Sequence, residues 1–325
     1  MLNPTDISLF FSKDDPSAIR IGELVKSIDL PRNNVDTETH QGGQFALVGY
    51  PDDEGIQLNG GREGAKQAPD AIRKILYKMT PPHDWKKNFP FLFDIGNVPE
   101  SNSLDSRHDI ALKAVSQISD HNIKIISLGG GHDYGYVDGH AFLEKNIKRS
   151  NAVKPVIINF DAHLDVRPNN KSGVVINHSG TPFYRLKEKF KDSFHLVEIG
   201  LQSHCNSRNH WEWALENHID LISLESIEDS HWDSVWQNKT IASITKNTPV
   251  FISFDIDGLC MADAGGCSQA WPTGLKISEC LAFLKRLYEQ SDTQGLGIYE
   301  VSPPLDTDSK TSKAAALLIY NFIFN

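Results

Sequence analysis

Eight short runs of apolar and β-branched residues punctuate this 325-residue chain, and no other feature restricts its fold so strongly. They are FALVG (45–49), FLFDIG (91–96), IKIISL (123–128), PVIINF (155–160), HLVEIGL (195–201), IDLIS (219–223), PVFISF (249–254) and GIYEV (297–301). Continuous apolar runs of this length read as buried strands covered on both faces. Between most of them lie segments with helical spacing: APDAIRKILYKM (68–79), DSRHDIALKAVSQISDH (105–121), ISECLAFLKRLYEQ (277–290) and KTSKAAALLIYNFI (310–323). Alternating strands and helices predict right-handed crossovers and a mostly parallel sheet with helices on both faces. The expectation is an α/β protein, a three-layer α/β/α sandwich around about eight strands.

A chain of this length can bury one large core, and nothing in it resembles a linker between halves. Residues 41–325 are therefore expected to form a single catalytic domain, with residues 1–40 as an N-terminal extension. Within that extension IRIGELVKSIDL (19–30) has the look of one helix, and PRNNVDTETHQGG (31–43) is polar and turn-rich. Neither is assigned a catalytic part.

The fold class says where chemistry should sit, because open parallel sheets bind ligands outside the carboxyl ends of their strands. Three predicted strands end in metal-ligand residue types. GGGH (129–132) follows IKIISL, DAHLD (161–165) follows PVIINF, and DID (255–257) closes PVFISF. Side chains alternate along extended chain, so Asp255 and Asp257 share a face, as would Asp161, His163 and Asp165 if their strand continued. His132, Asp161, His163, Asp165, Asp255 and Asp257 thus converge, and four of the six are carboxylates. Each motif alone is ordinary, since an Asp at a strand end often caps the next helix. Three in order, each after a buried strand, are not.

Four crowded carboxylates raise one another's pKa and destabilise the fold unless cations balance them, and two divalent ions match their charge. Oxygen-rich ligation with imidazole and no thiolate suits Mn²⁺ better than a structural zinc site, with other divalent ions as alternatives. A metal pair about 3.5–4 Å apart lowers the pKa of a water molecule enough to make a nucleophile at neutral pH. Hydrolysis is the natural chemistry.

Composition narrows the partners. The net charge of −10 and pI near 5.7 oppose binding to nucleic acid or anionic membranes. No run approaches the ~20 apolar residues of a spanning helix, and the opening MLNPTDISLFFSKDDPS lacks signal-peptide character, so the cytoplasm is the expected compartment. Cys205, Cys260, Cys267 and Cys280 form no CxxC pair and are read as reduced thiols. The partner is a small-molecule substrate.

The motifs GGGH, DAHLD and SFDID resemble the GGxH, DAHxD and SxDxD of the ureohydrolase superfamily of arginase, agmatinase and formimidoylglutamase, over roughly residues 45–305. The resemblance implies that His132, Asp161, Asp165 and Asp255 hold one manganese and Asp161, His163, Asp255 and Asp257 the other, with Asp161 and Asp255 bridging. It further implies that His178 in NHSGTPF shuttles a proton to the leaving amine and that Glu300 in YEVSPPLD pairs with a cationic substrate nitrogen. Members are commonly oligomeric, so a homo-oligomer is expected, although no interface is legible.

Within the superfamily, GYPDDEGIQLNGGREGAKQAPDAIR (49–73), GGGHD and DVRP look most like formimidoylglutamase. Arginases carry a polar, uncharged residue where this chain has Arg167, and a guanidinium implies a more anionic substrate such as N-formimino-L-glutamate. Arg167, like Arg62 in NGGRE, could instead be a loop-fixing ion pair. The chain departs from the family after SFDID, where GLCMADAGGCSQAWPTGL (258–275) replaces the usual xxDP and invites a redox link between Cys260 and Cys267. The expected function is hydrolysis of formiminoglutamate to glutamate and formamide. The rivals are a urea-releasing amidinohydrolase acting on a guanidine, a one-zinc deacetylase, and a metal-binding homologue without turnover.

Overall fold

The computed structural model describes residues 2–28, 43–84, 89–149, 153–171 and 174–325. All eight apolar runs are strands, and a ninth, β1 (Val25–Ser27), joins them at the sheet edge. The others are β2 (Gln44–Gly49), β3 (Phe91–Asn97), β4 (Lys124–Leu128), β5 (Val156–Phe160), β8 (His195–Leu201), β9 (Asp220–Ser223), β10 (Pro249–Asp255) and β11 (Asp292–Tyr299). A separate two-residue pair, β6 (Asn170–Lys171) and β7 (Val174–Val175), precedes β8. Every pairing in the nine-stranded sheet is parallel.

The helices are α1 (Glu54–Leu58), α2 (Ala68–Leu76), α3 (Leu104–Asp120), α4 (Gly135–Arg149), α5 (Pro182–Phe190) and α6 (Arg208–Glu216). They continue with α7 (Leu224–Ser230), α8 (Asp233–Gln237), α9 (Lys239–Ser243), α10 (Ile277–Gln290) and α11 (Lys310–Phe324). Strand residues alternate between the two helical layers, as the two-residue period demands. Phe45 and Leu47 pack with Ile72 and Leu76 of α2 and Leu318 of α11, whereas Ala46 and Val48 pack with Ala111 and Val115 of α3. The predicted three-layer sandwich is the observed one. Among the described residues no helix is long and apolar enough to cross a membrane.

The helix expected over 19–30 is not formed in its described part, residues 19–28. Ile21–Glu23 make one short 3₁₀ turn, and the chain then extends as β1, pairing Val25 with Leu92 and Lys26 with Phe93. Pairing with the exposed edge of β3 gives these backbone groups partners that an isolated helix end would lack. The polar segment 31–43 falls, apart from Gly43, outside the described residues.

Strand order positions the site. The sheet runs β1-β3-β2-β4-β11-β10-β5-β8-β9, so the two last strands of the chain fill the centre, between β4 and β5. The four neighbours β4, β11, β10 and β5 are the strands followed by GGGH, Glu300, DID and DAHLD.

Candidate functional site

Each ligand-type residue reaches the centre through a turn rather than by continued strand. β5 stops at Phe160, and the Asp161 carboxylate folds back to accept the His163 N–H through Oδ1 (2.6 Å). Asp165 adopts φ +47°, which swings its carboxylate toward His132. β10 stops at Asp255, whose Oδ1 accepts the Asp257 N–H (2.9 Å) as Ile256–Gly258 turn. The alternation expected along extended chain is therefore not what aligns these groups; short turns do so. Gly258 permits the closest approach, since a Cβ there would lie 2.9 Å from the Asp161 nitrogen.

The six residues divide into two overlapping groups. His132 Nδ1 lies 2.9 Å from Asp165 Oδ2 and 3.2 Å from both Asp161 Oδ2 and Asp255 Oδ2. His163 Nδ1 lies 3.4 Å from Asp161 Oδ1 and 3.2 Å from Asp257 Oδ2. Within each group the offered atoms all lie within 4.8 Å of one another, and Asp161 belongs to both. Asp255 joins only the first group, because its second oxygen is turned onto the Asp257 backbone.

The cluster fits divalent cations on its own physical grounds. Buried polar atoms normally have partners, yet His132 Nδ1, which faces three carboxylates of the cluster, and Asp257 Oδ1 both lack hydrogen bonds. Burial pushes the Asp255 carboxyl well above its ordinary range, with the neighbouring Asp257 and Asp161 charges adding to it. Burial likewise raises Asp165. At His132 and His163 burial favours the neutral ring, but the surrounding carboxylates outweigh it and hold both imidazoles well above their usual range. A centre that keeps protons on buried histidines is short of positive charge, which metal ions supply.

A layer beneath the cluster holds it in place. His132 Nε2 meets Ser253 Oγ at 2.9 Å, so an Nε2–H leaves Nδ1 free to offer its lone pair. Asn159 Nδ2 donates to Glu198 (2.8 Å) and to Asp161 Oδ2 (3.3 Å). Strand register puts Ser127, Gly297, Ser253, Asn159 and Glu198 side by side across five strands, as one polar rung under the carboxylates. Ser253 was visible in SFDID without a role being assigned to it. The amide of Asn206, also missed, accepts the Leu164 N–H and donates to the carbonyls of Ala162 and Gln202. It ties the DAHLD turn to the turn after β8.

Above the cluster opens a cleft of about 230 Å³, room for a small metabolite. Glu300 lies on its wall at φ +66°, an uncommon conformation of the kind that persists at functional sites. Its Oε1 accepts the His132 N–H (3.0 Å). Arg167 lines the mouth, exposed, with its guanidinium in no ion pair or hydrogen bond among the described residues. Arg62 is different: it donates to the carbonyls of Cys267 and Ser268 (2.9 and 2.7 Å) and so pins the 258–275 loop. His178 does not line the cleft. Its Nδ1 accepts the Gly180 N–H (3.2 Å), an arrangement that puts the neutral ring's proton on Nε2, and the next residue, Ser179, is on the cleft wall. The four cysteines are free thiols, so Cys260 and Cys267 are not linked.

Comparison with known proteins agrees with this geometry. A formimidoylglutamase of Streptococcus pyogenes serotype M3 is 28% identical over 335 residues, covering 98% of this chain and 96% of its own. The crystal structure of Trypanosoma cruzi formiminoglutamase with Mn²⁺ is 26% identical with a TM-score of 0.75, covering 88% of this chain and 94% of that one. Formimidoylglutamase from Bacillus subtilis shares the fold with a TM-score of 0.78 at 24% identity, covering 96% and 93%. Residues 43–324 match the arginase family model across the whole nucleus of the sheet and its site, and the chain belongs to the arginase family.

Proposed function

We propose that this protein is a manganese-dependent hydrolase that cleaves N-formimino-L-glutamate to L-glutamate and formamide. The observation that carries the reading is the Arg167 guanidinium, unpaired among the described residues, on the wall of a cleft whose floor is a two-part carboxylate and histidine cluster. His132, Asp161, Asp165 and Asp255 would hold one ion, and Asp161, His163 and Asp257 the second. Asp255 would bridge if its Oδ1 turned from the Asp257 backbone. When bound, the ions supply Lewis acidity and make water a nucleophile at neutral pH.

The chain's own residues do the rest. Arg167 grips a substrate carboxylate through its planar fork. That places the formimino end toward the floor, where Glu300 accepts a hydrogen bond from its nitrogen. Burial, reinforced by the Asp257 charge, raises the Glu300 carboxyl well above its usual range. A positively charged amidinium is therefore the partner that restores its ionised form. Water adds to the formimino carbon, the bond from that carbon to the glutamate nitrogen breaks, and His178, its ring turned past Ser179 into the cleft, delivers the proton that the departing amine requires. To do so the ring first takes up the proton lost by the attacking water, at the Nδ1 that otherwise accepts the Gly180 N–H, and then gives one up from Nε2 as an imidazolium.

The names of the formimidoylglutamase relatives support the substrate, and the Mn²⁺ of the trypanosomal enzyme supports the metal. Manganese-loaded protein should release formamide from formiminoglutamate and no urea from arginine, agmatine or guanidinobutyrate. Urea release alone would replace this reading with an amidinohydrolase, and one bound ion per chain would remove the two-metal assignment.

A further inference from the structure

The dicarboxylate reading leaves a requirement that Arg167 alone does not meet. Formiminoglutamate carries two carboxylates, and one guanidinium fork accommodates one of them bidentately. Most other polar groups of the cleft wall are already engaged, and Gln269, which makes no side-chain hydrogen bond among the described residues, carries only an uncharged amide. The Asn206 amide holds three backbone groups. Asn59 donates to Ser179 Oγ (3.0 Å), and Ser268 Oγ accepts the Arg62 N–H (2.8 Å).

His210 is not engaged. Its ring lines the cleft and makes no hydrogen bond or ion pair among the described residues. It is the third residue of α6, and helical side chains lean toward the helix N-terminus, which carries this ring over the cleft rim. The backbone beneath is fixed: Ser207 Oγ caps the helix through the His210 N–H, and Trp213 of the same helix packs on Tyr184. Arg167 is near enough that its charge, after burial, pushes the His210 imidazole down. Apart from His163 on the floor, Arg167 and His210 are the only basic side chains on the cleft wall among the described residues.

We propose that His210 is a specificity-determining residue, donating a ring N–H to the substrate's side-chain carboxylate while Arg167 holds the α-carboxylate. This rests on the formiminoglutamate reading and adds the second anchor to it. A charge-assisted hydrogen bond of about 1.5–3 kcal/mol corresponds to roughly 10- to 150-fold in affinity.

The test compares wild type, His210→Ala and His210→Gln as manganese-loaded full chains, on N-formimino-L-glutamate and on N-formimino-L-norvaline, which lacks the side-chain carboxylate. His210→Ala should raise KM for the glutamate substrate at least about tenfold, leave kcat within about twofold, and leave the norvaline substrate unchanged. His210→Gln, which keeps a donor, should recover part of the loss. Equal effects on both substrates, or none, overturn the proposal. If the wild type hydrolyses only guanidines, the formiminoglutamate reading itself fails. Calorimetry then decides the subsite separately: wild type should bind L-glutamate more tightly than L-norvaline, and His210→Ala should erase the difference. Equal binding of the two by wild type overturns the subsite.

Discussion

Asp161 has two tasks at one carboxylate: Oδ2 faces His132 and Oδ1 faces His163. Removing it breaks both halves of the centre at once. Asp161→Ala should lower kcat on the order of 10³-fold or more and reduce bound manganese, read by metal analysis beside the assay. Normal metal content with substantial turnover would contradict the shared role. A second buried carboxylate, Asp138 on α4, serves the fold alone, accepting the hydroxyls of Tyr50 and Tyr299 (both 2.6 Å). Burial pushes it up to about 6 against the opposing effect of those hydrogen bonds. Because the folded-state pKa is the higher one, this group's contribution is full below the unfolded value near 3.8 and is lost as pH rises to about 6. Relative to Asp138→Asn, the wild type should lose about 3 kcal/mol of stability across that window, measured by urea unfolding at each pH.

The elements differ in how plainly the chain announces them. Strands β2 to β5 and β8 to β11 are continuous apolar runs, so their identity survives without any knowledge of neighbours. β1 is three residues, VKS, and exists only because β3 offers it an edge. α4 escaped notice for the opposite reason: Asp133, Asp138, His140 and Asn146 are polar yet buried in and before it, so no polar face contrasts with an apolar one. The clustered His and Asp residues were legible because motif and strand end coincide. Asn206 and His210 lie on a turn and a helix start with no such coincidence, and only tertiary contact reveals them. The loop after SFDID was legible as unusual, and its anchor is now visible in Arg62. Arg62→Ala should cost about 1–2 kcal/mol of stability and raise KM severalfold as the cleft wall bearing Ser268 loosens. Arg62→Lys should not restore either, because an ammonium lacks the planar fork that spans two carbonyls. Denaturant unfolding with steady-state kinetics checks both.

At the scale of the whole molecule, the proposed metal centre would couple ion binding to the fold. Without cations the cluster keeps carboxyls and imidazoles in unfavourable protonation states at the middle of the sheet. Two sites each filled at about a hundred times their dissociation constant add about 5 kcal/mol together. Chelation should therefore lower Tm by about 10 °C, reversed by Mn²⁺. A Tm indifferent to chelator would mean that the cluster holds no ion.

The strand order also sets a timetable. β4 ends at Leu128 and β5 begins at Val156, but the strands that separate them start at Pro249 and Asp292. While the chain emerges from the ribosome, the two halves of the sheet have no common seam, and His132 and Asp161 have no Asp255 between them. Long-range closure of this kind is slow compared with the formation of local helices. On the proposed reading the metal centre is complete only once β10 and β11 have found their slot between β4 and β5, so ion binding would report that closure.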